Sequence, residues 1–292
     1  MKNIIFFLAL LLSACRSDKS VVTPNFEFGE PVKIEIIGYS GNAMEPFISR
    51  DGNILLFNNL NSLPENTNLH WATKINDNTF QYKGEIAGVN TTELEGVPTM
   101  DNLGNLYFVS LRSYTNTLST IYDGKFSNGI ATNVQLTSGI SKLQLGWLNF
   151  DIEVSIDGQT IYFADAQFDG SSLPKTADLV IAKKGTSGFQ RLTNSNEILR
   201  NINSNALEYA ACISENQLEL YFTRLAIPVT PNTLPEILVS TRQNANEPFS
   251  NPSKIQSITG LVEAPTIAPD QKTLYYHKKD NNLYVLYMVK KP

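Results

Sequence analysis

The stretch EPFISRDGNILLF (45–57) has the pattern of a tight β-hairpin. An Asp-Gly pair separates two largely apolar runs, and the second run ends in an aromatic residue. Asp-Gly in this setting is a strong hairpin signal, because both residues tolerate the left-handed backbone of a two-residue turn. The stretch DIEVSIDGQTIYF (151–163) repeats the pattern. These two stretches predict a fold built from antiparallel strand pairs.

Three further segments repeat the hairpin with other polar residues at the turn. They are EGVPTMDNLGNLYF (95–108), EYAACISENQLELYF (208–222) and EAPTIAPDQKTLYY (263–276). The five closing aromatics are Phe57, Phe108, Phe163, Phe222 and Tyr276, with spacings of 51, 55, 59 and 54 residues. A nearly constant period of this length is typical of repeat architectures such as propellers.

Further strand-like stretches follow each hairpin. The third stretches lie at 69–75, 118–124, 178–184, 236–242 and 282–289. The fourth stretches lie at 82–88, 133–139, 189–195 and 253–260. The fifth repeat has no fourth stretch, but residues 32–45 read like residues 253–263. A strand from the N-terminal side would therefore complete the last repeat.

This arrangement predicts an all-β fold over residues 30–292. We expect a five-bladed β-propeller with four-stranded blades, whose ring is closed by the N-terminal strand. Closure of this kind leaves no exposed sheet edge. A solenoid is the alternative, although its terminal repeats would be capped and would not share a strand between the two ends of the chain.

The repeat resembles the WD40-like β-propeller repeat of bacterial envelope proteins, a family that includes the Tol-system translocation protein. The family pattern is roughly Pro-x-x-Ser-Pro-Asp-Gly-x-x-Leu-x-Phe. The matching residues are Pro46, Ser49, Asp51, Gly52 and Phe57; Ser155, Asp157, Gly158 and Phe163; and Pro265, Pro269, Asp270, Leu274 and Tyr276. The resemblance implies the propeller fold. It implies no single function, because the family has binding and enzymatic members.

The first residues, MKNIIFFLALLLSAC (1–15), are typical of an export signal. The apolar run over 4–12 is too short to span a bilayer, which needs about 20 residues. Leu-Ser-Ala-Cys at 12–15 resembles the bacterial lipobox, in which the cysteine becomes the lipidated first residue. We therefore expect a lipoprotein signal peptide over 1–14, followed by a lipidated Cys15 and a tether over 15–29.

The lipid on Cys15 would attach the protein to a membrane of the cell envelope. Arg16 follows it, where enteric bacteria use Asp to retain lipoproteins in the inner membrane. The outer membrane is therefore favoured, on either its periplasmic or its surface face.

Composition and motifs exclude several classes. The 292 residues carry 23 Lys and Arg against 28 Asp and Glu, and this net charge of −5 argues against a nucleic-acid partner. Two cysteines and two histidines cannot make a four-ligand zinc site without carboxylates. Phosphate loops, dinucleotide fingerprints and Gly-x-Ser-x-Gly elbows are absent from the sequence. We expect no cofactor, no metal, a monomer, and an envelope protein or a glycan as partner.

An acidic residue stands at or near the start of each predicted first strand. The five are Glu45, Glu95, Asp151, Glu208 and Glu263. First strands of a propeller line its central channel, so these carboxylates would crowd at one mouth and raise one another's pKa. They could accept backbone hydrogen bonds as structural groups, bind a ligand or cation, or catalyse. Their distances to the closing aromatics vary from 12 to 14 residues, so the five positions are not equivalent.

Aromatic residues precede several first strands, notably Tyr39, Trp147 and Tyr209. Rings beside carboxylates suit a sugar, because the rings stack on its apolar face while the acids bind its hydroxyls. The alternative role of these rings is packing between blades. Together with the five acids, these three residues form the predicted ligand-binding set.

Two main functional hypotheses follow. The first is a lipid-anchored envelope propeller that acts as a protein- or glycan-binding or scaffolding module. The second is a carbohydrate-active enzyme resembling glycoside hydrolases, with Asp151 as base, Glu208 as acid and Glu263 as modulator. A purely structural lipoprotein with a plugged channel is a third possibility.

Overall fold

The computed structural model describes residues 26–61 and 67–292. Cys15 and the predicted signal peptide therefore lie outside the described residues. The described part is all-β apart from two four-residue helices, α1 (Tyr114–Thr117) and α2 (Ser195–Ile198). In these two ranges no helix is long and apolar enough to cross a bilayer.

Two short strands, β1 (Val32–Lys33) and β2 (Glu35–Ile37), precede five successive strand units. Unit 1 contains β3 (Met44–Ile48), β4 (Ile54–Asn58), β5 (Leu69–Asn76) and β6 (Thr79–Glu85). Unit 2 contains β7 (Glu95–Met100), β8 (Asn105–Ser110), β9 (Ile121–Ser127) and β10 (Ile130–Leu136). Unit 3 contains β11 (Trp147–Val154), β12 (Thr160–Gln167), β13 (Thr176–Gly185) and β14 (Gly188–Arg191). Unit 4 contains β15 (Leu207–Ile213), β16 (Glu219–Leu225), β17 (Glu236–Thr241) and β18 (Ser253–Lys254), and unit 5 contains β19 (Val262–Ile267), β20 (Thr273–Asp280) and β21 (Leu283–Lys290).

Strands within each unit pair antiparallel in chain order. The five predicted hairpins are confirmed as the first two strands of each unit. The fourth strands differ from the prediction: β6 and β10 begin three residues earlier, and β18 has only two residues. Outer strands carry a weak sequence signal, because one of their edges has no strand to pack against.

The segment predicted to close the ring is divided between two units. Strand β1 pairs antiparallel with β21, so that Val32 lies opposite Met288 and supplies unit 5 with a fourth strand. Strand β2 instead pairs in parallel with β6 of unit 1. Only Ile34 lies between these two strands, and the chain thereby connects the first unit to the last.

The first two strands of a unit are joined by a turn that the sequence pattern explains. Asp51 accepts hydrogen bonds from the Ser49 hydroxyl at 2.5 Å and from the Asn53 N–H at 3.0 Å. Gly52 between them has a φ of 76°, which glycine adopts without steric cost. We call the end of the molecule with these turns the turn end. The opposite end, where the first strands begin, is the mouth end.

The apolar core lies between neighbouring units. Five buried clusters each join two consecutive units, and one of them joins unit 5 to unit 1 through residues such as Tyr275 and Phe57. The five closing aromatics are fully buried in these clusters. Burial of each ring contributes roughly 2–3 kcal/mol. The repeated aromatic is thus what packs one unit against the next.

Candidate binding site

The first strands of different units contact one another, and each carries a β-bulge. The bulge residues have φ between 50° and 56°, a conformation that is uncommon outside glycine; they are Glu45, Val97, Asp151, Ala210 and Ala264. The pairing register with the second strand shifts at each of these points. A bulge of this kind redirects the side chains around it.

The bulges divide the five predicted acids into three positions. Glu45 and Asp151 are bulge residues, Glu263 lies one residue before a bulge, and Glu95 and Glu208 lie two residues before one. The unequal spacing in the sequence therefore reflects a real difference in placement. The structure brings three of the acids together and separates the other two.

Glu95 is fully buried and bonded within the protein. It accepts hydrogen bonds from the Thr91 N–H at 2.7 Å, the Thr91 hydroxyl at 2.8 Å and the Ser110 hydroxyl at 2.7 Å. The Arg112 guanidinium lies 3.2 Å from its Oε1. These contacts use both carboxylate oxygens and neutralise the charge.

Glu208 repeats this arrangement in unit 4. Its carboxylate accepts from the Ser204 N–H at 3.1 Å and the Ser204 hydroxyl at 2.6 Å, and it pairs with Arg224 at 2.7 Å. Glu95 and Glu208 thus both fasten the loop before the first strand to the second strand. Neither residue lines the cavity described next.

Glu45, Asp151 and Glu263 line one cavity of about 620 Å³ at the mouth end, together with Tyr209. Its walls are mostly apolar and include Leu94, Leu148, Phe150, Phe168, Leu207 and Leu225. We call this space the mouth cavity. Below it, residues from all five first strands surround a narrow passage of about 30 Å³.

Glu45 has one satisfied and one unsatisfied oxygen. Asn61 donates a hydrogen bond to Oε1 at 2.8 Å. Oε2 is buried and accepts no hydrogen bond from the described residues. Burial raises the pKa of Glu45 to about 8, and the nearby charges of Asp151 and Glu263 add to this effect while His277 opposes it.

Asp151 lies in a similar environment. Its only hydrogen bond from the described residues comes from the Ala210 N–H, at 3.1 Å. Burial, together with the charge of Glu263, raises the pKa of Asp151 to about 8. Asp151 and Glu45 are therefore both mostly protonated at neutral pH.

Glu263 is the ionised acid of the three. Burial alone would raise its pKa, but hydrogen bonds from His277 and Tyr209 bring the pKa below the ordinary value. His277 Nε2 lies 3.1 Å from Oε2, and the Tyr209 hydroxyl donates to Oε1. The His277 Nδ1 accepts the Glu45 backbone N–H at 3.2 Å, which places the proton of the neutral ring on Nε2.

A buried ion pair that the sequence analysis missed narrows the passage toward the turn end. Arg50 of unit 1 reaches Glu153 of unit 3 at 3.1 Å, and the Thr99 hydroxyl donates to Glu153 at 2.6 Å. Arg50 also donates to the Met100 carbonyl at 3.0 Å. The one signal for this ion pair in the sequence was Arg50, which occupies a position where the repeat pattern has proline.

The predicted aromatics have different positions. Tyr209 lines the mouth cavity, with its ring 6.2 Å from that of Phe150. Tyr39 packs within unit 1 against Phe57, 5.0 Å between ring centroids. The Trp147 ring lies 3.2 Å from the Lys142 ammonium and does not line the mouth cavity.

Two residues that line the mouth cavity could not be identified from a repeat or motif in the sequence. Asn61 and Phe168 lie in loops with no repeat pattern, so only the folded chain brings them to the mouth cavity. Within 26–61 and 67–292, no group of three or more His, Cys, Asp or Glu side chains is placed to hold a metal ion.

Neither family models nor curated proteins match the sequence. Similar solved structures include a glycoside hydrolase with a TM-score of 0.60 and 10% identity, covering 91% of this chain and 92% of that one. The α-L-arabinofuranosidase PaAbf62A from Podospora anserina, in complex with cellotriose, has a TM-score of 0.55 and 13% identity, with coverage of 90% and 96%. TolB from Acinetobacter baumannii has a TM-score of 0.47 and 14% identity, with 86% of this chain covered.

The chain spans about half the length of that TolB structure, 54%. At these levels of identity the likenesses bear on the fold alone. The chain has an all-β, propeller-like scaffold that is similar to the scaffolds of the hydrolase structures. Because one fold can serve many functions, the mouth cavity is the feature that bears on the function of this protein.

Proposed function

We propose that the five units are the blades of a five-bladed β-propeller. Each first strand contacts the next one, and the series returns from β19 to β3. The apolar cluster between units 5 and 1 and the pairing of β1 with β21 support closure of the ring at that point. The mouth cavity would then lie on the axis of the propeller.

We propose further that the protein is a binding module whose ligand enters the mouth cavity. The observation that carries this proposal is a cavity of about 620 Å³ with apolar walls and three carboxylates at its base. Ligand sites commonly have volumes of about 300–1,000 Å³ and a few polar groups on an apolar lining. A purely structural ring would gain nothing from an unsatisfied buried carboxylate oxygen such as Glu45 Oε2.

A protein partner suits this surface better than a glycan. Six large apolar side chains are exposed in mouth-end loops of units 3 and 4: Leu143, Leu145, Leu173, Ile227, Val229 and Leu234. Exposed apolar groups around a cavity mark protein contacts, whereas a glycan needs many hydrogen-bond donors and acceptors. We therefore favour an envelope protein with an apolar contact segment.

The proposed lipid anchor on Cys15 would orient the molecule. The described chain enters at the turn end, where the Gly29 N–H donates to the Lys290 carbonyl at 2.9 Å and Phe28 packs against Tyr221. A membrane attached through this segment would adjoin the turn end. The mouth cavity would face away from the membrane and be open to an envelope partner.

Site-specific photo-crosslinking tests the binding module. A photoreactive residue would replace Leu173 at the mouth cavity or, as a matched control, the exposed Leu103 at the turn end. We expect the full-length protein to crosslink one defined envelope protein through position 173 and not through position 103. Equal crosslinking at both positions, or none at either, would contradict the proposal.

Glycoside hydrolysis is the second candidate. Two acids with raised pKa and one with lowered pKa share a cavity, which is how enzymes separate general acid from base. Glu45 or Asp151 would be the proton donor and Glu263 the ionised partner. The assignment from the sequence, with Glu208 as the acid and Asp151 as the base, is thereby replaced. Release of nitrophenol from p-nitrophenyl α-L-arabinofuranoside, abolished by Glu45→Gln, would support this candidate. No release between pH 5 and 8 would exclude it for this substrate.

A further inference from the structure

Among the described residues, four of the five buried acids outside the mouth cavity have an arginine beside them, and the fifth, Asp101, accepts hydrogen bonds from Leu103 and Asn105. Four such pairs occur among the described residues: Glu95 with Arg112, Glu153 with Arg50, Asp165 with Arg191, and Glu208 with Arg224. Each pair offsets the cost of removing a carboxylate from water. The acids of the mouth cavity have no such partner.

The mouth cavity itself contains no basic side chain among the described residues that line it. Glu45 is 7% exposed and Asp151 5% exposed, so both are nearly as deeply buried as the paired acids. Glu45 Oε2 has no hydrogen-bond donor among the described residues. The described residues thus provide a buried acceptor in Glu45 and an ionised acid in Glu263, but no arginine like those beside four other buried acids.

We propose that the ligand supplies this cation: the mouth cavity binds a primary ammonium ion carried on an apolar body. This inference rests on the proposed binding function and names its ligand class. The ammonium ion donates to the carboxylates of Glu45 and Asp151, and its three N–H groups suit two neighbouring carboxylates. The apolar body packs against walls such as Leu148 and Leu225.

The aromatic wall favours the same ligand. Phe150 and Tyr209 lie side by side next to Asp151 in the lining of the cavity, with their rings tilted by 39°. An ammonium ion near such ring faces gains about 0.5–2 kcal/mol from cation–π attraction when it is desolvated. Aromatic faces and carboxylates together discriminate a cation from a neutral group of the same shape.

Binding of a cation is coupled to proton release. The titratable groups that face Glu45 are Asp151 on β11, Tyr209 on β15, Glu263 on β19, His277 on β20 and Tyr284 on β21. Glu45 and Asp151 hold protons at neutral pH in the free protein. An incoming ammonium ion favours their ionised forms, so these protons pass to the buffer and affinity increases from pH 6 to pH 9.

The ammonium ion can come from a free amine or from a lysine side chain of a protein partner. Hexylamine represents the first source and 1-hexanol is its neutral counterpart. The peptide acetyl-Ala-Leu-Lys-Leu-Ala-amide represents the second, and the same peptide with Nε-acetyl-lysine is its neutral counterpart. Tighter binding of one charged probe than of the other identifies the source.

Isothermal titration calorimetry of the full-length protein in detergent micelles tests the inference. We expect each charged probe that binds to exceed its neutral counterpart by about tenfold or more in affinity, with proton release detected in buffers of different ionisation enthalpy. Glu45→Gln should remove this preference, because the amide still accepts from Asn61 but cannot ionise. Glu247→Gln, at an exposed acid, is the matched control and should leave the preference unchanged.

Asp151→Asn provides a second variant with the same expected loss of preference, should Glu45→Gln fold poorly. Equal binding of charged and neutral probes by the wild-type protein would overturn the ammonium inference while leaving the binding module standing. Absence of binding by all four probes would overturn the ammonium inference as well. The binding module would then be decided separately by the crosslinking at positions 173 and 103.

Discussion

Glu208 and Glu45 begin equivalent strands, yet their surroundings are opposite. Glu208 is fully buried, bonded to Ser204 and paired with Arg224. Glu45 is nearly as buried, but one oxygen has no donor from the described residues and no arginine is near it. Glu45 is the bulge residue of its strand, whereas Glu208 lies two residues before the bulge of its own strand. This offset accounts for the difference.

This comparison separates structural carboxylates from carboxylates available to a ligand. At the position two residues before the bulge, the side chain points back to its own loop, where Thr91 or Ser204 supplies donors. At the bulge itself, the side chain points to the space shared by all five units. Substitution at the first position should cost stability, and substitution at the second should change protonation and binding.

The largest effect should follow from breaking the structural pair in unit 4. Arg224→Met removes the cation beside a fully buried Glu208, and the free energy of unfolding should fall by about 3 kcal/mol. Chemical denaturation measures this change. Lys254→Met, at the partly exposed pair with Glu236, is the control and should cost less than about 1 kcal/mol. Similar losses of unfolding free energy in the two variants would contradict the structural role given to the buried Glu208–Arg224 pair.

The cavity acids should make stability depend on pH. The pKa of Glu45 lies near 8 in the folded protein against 4.5 for an ordinary Glu, so the folded state holds the proton more tightly. The free energy of unfolding should therefore fall as pH rises from about 5 to 8, on the order of 3 kcal/mol for this group. His277, whose pKa is raised, acts in the same direction.

Glu45→Gln should flatten this dependence, making the protein more stable than wild type at pH 8 and nearly unchanged at pH 5. Denaturant titrations at the two pH values measure the difference. A variant less stable than wild type at pH 8 would show that the ionised Glu45 stabilises the free protein, contrary to its environment.

A smaller effect should be shared by units 2 and 4. Ser204→Ala and Thr91→Val each remove a hydroxyl donor to a buried carboxylate, and each should lower the free energy of unfolding by about 1 kcal/mol. Matching losses would support the same structural role for Glu208 and Glu95. A loss confined to one of the two variants would contradict it.

The smallest effect concerns the single donor to Glu45. Asn61→Ala removes the hydrogen bond to Oε1, which favours the ionised form of the acid. The upper end of the pH range over which stability declines should then rise by roughly half a unit. A downward shift would indicate that Asn61 donates to Glu45 only in its protonated form.

Much of the architecture was predictable because it depends on local chemistry. The Ser-x-Asp-Gly turns bond within five residues, and the closing aromatics mark each second strand. The division of residues 32–37 between β1 and β2 was not predictable, because it depends on how two distant units meet. The same holds for Arg50 and Glu153, which are 103 residues apart.

By itself the sequence determined the repeat, its hairpins and the presence of an acid near the start of every first strand. Only the tertiary structure decided which acids share a cavity. A side chain's direction depends on the bulge, and a shift of one residue moves it to another face. Burial, neighbouring charge and the presence or absence of an arginine are also properties of the assembled units. These properties distinguish Glu45, Asp151 and Glu263 from Glu95 and Glu208, and they cannot be read from the spacing of residues along the chain.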